Sequence, residues 1–152
     1  MEIRIIDKKQ KLLPNKLGTH SGSVTNWSRS RSWFKYDALT IGNGATIYSW
    51  SDRHGGTLVD IIKRNGKQFI VVQEDHAERT DDNGMSESQT YKFSANPEGT
   101  KHYAQVLDIE TEDGQRGFIL EPRYLNPHTN RFSKDGRRIT LGHRSKFHDY
   151  SF

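Results

Sequence analysis

A chain of 152 residues is long enough for one domain with its own hydrophobic core, but only 32% of it is apolar, so that core is lean and draws on the 11% that is aromatic. No apolar run approaches the roughly 20 residues of a membrane-spanning helix, no secretory signal opens at Met1, and the lack of Cys excludes disulfides and thiolate metal sites. The net charge of +4 is unevenly placed: residues 1–40 carry eight Lys/Arg against three acids, residues 74–90 six acids against Arg79, and residues 122–152 seven Lys/Arg against two acids. Basic ends around an acidic middle suit either internal docking or an anionic partner.

In chain order, Ile3–Ile6 reads as a first strand, and residues 10–35 lack a period and read as a long loop. Gly42-Asn43-Gly44 is a turn that feeds a β-branched, aromatic strand over residues 45–50. Residues 51–57, with Gly55-Gly56, read as a connection before the next strand. Residues 57–63 and 68–73 flank Asn65-Gly66, whose residue types suit the positive φ of a type I′ turn, so this is a hairpin. Residues 75–79 suit a single helical turn, and Asn83-Gly84 a further turn. A strand over 89–93 stops at Asn96-Pro97-Glu98-Gly99, and a second hairpin joins 102–109 to 117–120 through Glu112-Asp113-Gly114-Gln115. Residues 122–134 read as a loop, Asp135-Gly136 as a turn, and 138–141 as a short strand. Phe147, Tyr150 and Phe152 are expected to dock the tail, since three aromatics left in water would be an exposed liability. Short strands with this punctuation define an all-β class, a small partly open barrel with long loops. The whole chain, 1–152, is read as one β-rich domain, with 1–44 an N-terminal strand and loop extension and 45–152 the barrel core.

Three polar clusters could carry chemistry. In residues 27–34, Arg29 and Arg31 present guanidinium forks suited to phosphate, and Trp27 could stack on a base, while Trp33 and Phe34 read as core anchors. In residues 51–57, Arg53, His54 and Thr57 stand beside a double glycine that would let backbone N–H groups approach an anion. The acidic stretch 74–89 invites a calcium reading, but with Gly84 at the sixth loop position the first ligand falls on Arg79 and the last on Thr90. No metal or other cofactor is therefore expected. Protease, Walker, nucleophile-elbow and dinucleotide motifs are absent. A ribonuclease-like site assembled from separated residues, such as His54, His148 and a Lys, stays open because acid–base work needs only closeness in space.

Ser51-Asp52-Arg53-His54-x-Gly56-Thr57, then Arg79-Thr80-Asp81-x-Asn83-Gly84-Met85-Ser86-Glu87-Ser88-Gln89, Leu141-Gly142 and Asp149-Tyr150-Ser151-Phe152 carry a resemblance. Over residues 45–152 the chain resembles a family of small uncharacterised proteins of phages and bacteria. The resemblance implies a phage-type accessory protein in the host cytoplasm, of the kind that binds a host component or signalling nucleotide to counter defence. The Asn65-Gly66 hairpin is also similar to a KOW unit, a small barrel element used on nucleic acids.

The expected function is non-catalytic capture of a phosphate-bearing ligand, a nucleotide or a nucleic acid. The ligand-binding set is Arg29, Arg31, Arg53, His54, Thr57 and Arg79, with Arg138 and Arg144 outside it and Trp27 or Tyr48 as stacking surfaces. The alternatives are a KOW-like DNA- or RNA-binding module acting on transcription or translation, a His-dependent ribonuclease or phosphodiesterase, and a protein-only inhibitor of a host factor. A host protein and a second copy of the chain stay open as partners; a membrane is not expected.

Overall fold

The computed structural model describes residues 3–6 (through their backbone), 32–49, 51–85 and 88–147. Among these residues ten strands run β1 (Ile3–Ile6), β2 (Gly44–Ser49), β3 (Asp52–Arg64), β4 (Lys67–Glu74), β5 (His76–Arg79), β6 (Tyr91–Ser94), β7 (Lys101–Thr111), β8 (Arg116–Leu125), β9 (Phe132–Ser133) and β10 (Ile139–Leu141). The main sheet is antiparallel, in the order β10-β2-β3-β4-β7-β8-β9. β4 pairs with the first half of β7, and β1 takes over along its second half, with Ile5 opposite Ile109. β5 and β6 form a separate two-stranded ribbon.

The main core cluster lies on one face of this sheet, while Phe69, Val71, Ile109 and Ile119, also buried, alternate onto the other. Cross-strand register sets Ala45 and Ile47 beside Leu58, Ile70 and Val72, then Ala104, Val106, Phe118 and Leu120, all buried. A bulge between Leu58 and Asp60 shifts β3 by one residue, so Leu58 and Ile61 both turn to the core although they are three apart. Ile139 and Leu141 of β10 pack into the same cluster as Phe118 and Leu120 of β8, so the two ends of the sheet bend towards each other. The all-β class expected from the sequence holds. The sheet is not closed into a barrel, however: its terminal strands are β10 and β9, of three and two residues, and no pairing joins them.

The two hairpin turns expected from residue chemistry hold. Asn65 and Gly66 have φ of 50° and 77°, and Gly114 in the β7–β8 turn has φ of 82°. Trp33 and Phe34 anchor residues 32–34. Phe34 exchanges backbone hydrogen bonds with Phe118 (2.8 and 2.9 Å), and Trp33 lies over Gly117, where a Cβ would fall 2.7 Å from the indole.

Three local expectations are corrected. Residues 52–57 are not a connection but the start of β3, with Gly55 and Gly56 inside the strand. Their glycines serve packing rather than turning: a Cβ on Gly55 would meet the Phe93 ring at 2.4 Å, and one on Gly56 the Gln73 carbonyl at 2.8 Å. Residues 76–79 form β5 rather than a helical turn, because Tyr91–Ser94 provides a pairing partner that local sequence does not reveal. Residues 122–134 are not a single loop, since β8 continues to Leu125 and β9 returns against it. Phe147 docks as expected, exchanging two 2.9 Å backbone hydrogen bonds with Arg53 where β4 has already ended. Tyr150 and Phe152 lie outside the described residues. No helix among the described residues is long and apolar enough to cross a membrane.

Candidate functional site

Segment 143–147 runs along the start of β3 and gathers four of the residues singled out in the sequence. Arg144 donates from Nε to the Asp75 carboxylate (2.7 Å) and from Nη2 to Thr57 Oγ1 (3.0 Å), while Thr57 donates to the other Asp75 oxygen (2.7 Å). The Asp75 side chain is 1% exposed, while that of Arg144 is 34% exposed, so in this Arg–Asp–Thr triangle the carboxylate is buried beneath a partly exposed guanidinium. Arg53 donates to Ser145 Oγ (3.1 Å) and its guanidinium lies 5.1 Å from the centre of the Phe147 ring.

His54 continues this seam onto the rim of the core face. The Lys146 ammonium donates to His54 Nδ1 at 3.3 Å, which requires a neutral ring. Glu74 stands 3.8 Å from the same nitrogen and 2.9 Å from His102 Nε2. Burial, then the Lys146 charge, lower the His54 pKa, against the pull of Glu74 and Asp52 in the other direction. The shorter Lys146 contact and this shift agree on a neutral His54, hydrogen-bonded to Lys146 rather than ion-paired with Glu74.

The remaining residues of that set are apart from this seam or outside the description. Tyr48 on β2 lies under the Arg138 guanidinium (5.0 Å) and accepts from Thr140 (3.3 Å). Arg79 on β5 holds Asp81 at 2.9–3.0 Å, which, with the Thr90 and Asn83 backbone N–H groups, keeps that carboxylate well below its usual pKa. Trp27, Arg29 and Arg31, and His148 of the ribonuclease-like alternative, lie outside the described residues. Among the described residues no group of three or more His, Asp or Glu could hold a metal ion.

A different cationic surface emerges on the opposite face of the sheet from the core. An open groove of about 440 Å³ runs along β7 and β8 and is lined by Lys101, Tyr103, Arg123, Tyr124 and Arg137 among others, with no carboxylate among the described residues that line it. Tyr103 and Arg123 are direct cross-strand partners, so their side chains share a face. The Arg123 side chain is 15% exposed and is fixed mainly by neutral acceptors, Gln105 Oε1 at 3.0 Å and the Pro122 carbonyl at 2.8 Å. Glu121 stands 3.9 Å from it, at the outer limit of ion pairing. Gly136 lays the loop before β10 directly on β8: at φ of 134° a Cβ would fall 2.5 Å from the Arg123 carbonyl. Arg137 then stands at the rim, donating to Ser49 Oγ at 2.8 Å.

A second groove of about 390 Å³ adjoins the first and shares Lys101, Tyr103 and Leu125 with it. Its further walls include Val59, Ile62, Val71 and Pro97, with Asp60, whose carboxylate accepts from the Ile61 N–H at 2.8 Å.

Sequence reasoning missed Lys101, Arg123, Arg137 and Tyr124 as site residues. The usable signal was alternation, because Lys101 and Tyr103 are two apart on one strand. Reading residues 122–134 as a loop hid their partners.

No family model matches the chain, and neither a curated protein nor a solved structure does.

Proposed function

We propose that this protein captures a phosphate-bearing ligand, a nucleotide or a nucleic acid, without altering it chemically, in the groove along β7 and β8. The observation that carries the reading is Arg123, a largely buried guanidinium held in place chiefly by neutral acceptors, with no acid among the described residues that line its groove. A cation positioned this way gives up little side-chain freedom on meeting a phosphate and keeps most of its charge for the ligand. Lys101 and Arg137 extend the positive surface, and Tyr103 and Tyr124 offer ring faces to a base.

This reading moves the ligand site away from most residues singled out in the sequence. Arg144 and Arg79 are engaged by Asp75 and Asp81, and Arg53 by Ser145 and Phe147. The test is thermal stability of the full chain with a panel of nucleoside mono- and polyphosphates and an oligonucleotide. A stabilising ligand at about 100 times its dissociation constant adds about 2.7 kcal/mol, and the gain should shrink in Lys101→Ala. A panel with no stabilising member would sink the reading. The phage-type setting, a role against host defence and the KOW-like comparison belong to this proposal as its context.

A second reading has its own observation. Neutral His54, Lys146, Glu74 and His102 form one cluster, the inventory of a His-dependent phosphodiesterase. Incubation with RNA should then release shortened products, and His54→Ala should abolish their release while the chain stays folded.

A further inference from the structure

We infer that the ligand of the β7–β8 groove is a single-stranded nucleic acid rather than a free nucleotide or a duplex. The inference rests on the proposed phosphate capture and narrows it to a polymer.

The first argument is shape. A small ligand gains affinity by being surrounded, with most of its surface buried in a concave pocket. Both grooves, of about 440 and 390 Å³, lie partly open to solvent along their length. An open trough binds by distributing modest contacts along a chain, which a mononucleotide cannot exploit.

The second argument is continuity. The two grooves share Lys101, Tyr103 and Leu125, so the β7 wall runs from one into the other. Together they form a track longer than either part, and a linear ligand can follow it.

The third is the division of chemistry along the track. One half holds the cations, Lys101, Arg123 and Arg137, with no acid among the described residues that line it. The other is walled by Val59, Ile62, Val71, Pro97 and Leu125, and its acid, Asp60, already accepts from the backbone. Phosphates fit the first half. The second offers apolar walls to base faces, which a single strand exposes and a duplex hides within its stack. Tyr124, 49% exposed, adds a ring near the cationic half.

The experiment measures anisotropy of fluorescein-labelled oligothymidylate and oligouridylate of about 12 nucleotides, inside the roughly 4–16 spanned by comparable β-folds. A duplex of the same length and unlabelled thymidine monophosphate serve as competitors, all with the full-length chain. The expected result is saturable oligomer binding, at least tenfold tighter than to duplex, with no competition by the monophosphate at equal nucleotide concentration. Affinity should fall as salt rises, and Lys101→Ala should make that fall shallower. Tyr124→Ala should lower affinity about tenfold with the salt dependence unchanged, separating stacking from phosphate contact. Equal competition by the monophosphate, or equal binding of duplex, overturns the inference while phosphate capture stands. Absence of oligomer binding at low salt overturns the inference, and absence of thermal stabilisation by every member of the nucleotide panel overturns phosphate capture as well. Comparison of the thymidylate with the uridylate tells whether the groove distinguishes DNA from RNA.

Discussion

Along residues 143–147 Arg144 closes on a carboxylate whose side chain is 1% exposed, while Arg53 meets only the Ser145 hydroxyl and the Phe147 ring there. Along β7 and β8, Arg123 is also largely buried, but a glutamine and a backbone carbonyl do most of the holding. Both regions are basic in sequence. The charge of the acceptor separates Arg144, which secures the chain, from Arg123, the cation proposed to serve a ligand. An Arg cluster therefore says little about binding until its nearest carboxylates are known.

The largest expected effect breaks the first region. Arg144→Ala leaves Asp75 buried beside Thr57 without its counter-charge, and stranding a buried charge costs about 3 kcal/mol or more. Urea denaturation should show that loss, with oligonucleotide affinity of the folded variant unchanged. A change below about 1 kcal/mol would mean that the triangle contributes no more than an exposed surface pair.

Next is Gly136→Ala, which attacks the second region through its support. The backbone conformation at φ of 134° is one that side chains rarely adopt, and the added Cβ would fall 2.5 Å from the Arg123 carbonyl. We expect about 2 kcal/mol of destabilisation and weaker oligonucleotide binding, because the loop that carries Arg137 must lift from β8. Retained affinity would show that Arg137 does not need this seat.

A smaller effect is expected from Lys101→Ala. Stability should stay within about 0.5 kcal/mol, since Lys101 is exposed, while the slope of log affinity against log salt falls by about 0.7. An unchanged slope would remove Lys101 from the phosphate contacts.

The smallest concerns pH. Folding lowers the His54 pKa below its usual value of about 6.5, so as pH falls through that value the unfolded chain takes up the proton first. Stability supplied by the neutral ring is present above that pH and is lost as pH drops towards the folded value. Denaturation midpoints at pH 7 and about 5 should differ less in His54→Gln than in the parent, and equal differences would show that His54 is not a source of the acid sensitivity.

The legible parts of this fold were those in which a residue type dictates a backbone angle. Asn65-Gly66 and Gly114 marked two hairpins, and the strands beside them followed. Gly55-Gly56 misled because the same absence of a Cβ that permits a turn also lets Phe93 lie flat against a strand. β5 was hidden because its partner, Tyr91–Ser94, lies beyond a turn, and pairing is a tertiary fact. The groove was illegible for a related reason. Lys101, Arg123 and Arg137 are dispersed in the chain and meet only through β7–β8 register and the contact of Gly136 with β8.

The pairing of β1 with the second half of β7 has a kinetic consequence. Ile5 must wait for Ile109, Thr46 for Thr140, and Arg53 for Phe147, so several pairings become available late in synthesis. Closing such long loops precedes any gain from the contacts they make, which places refolding in the slow, millisecond-to-second regime of non-local β topologies. Until those late partners arrive, the edges of β1, β2 and the start of β3 stand open to any other strand, and dilute conditions should favour recovery of the native chain over aggregation.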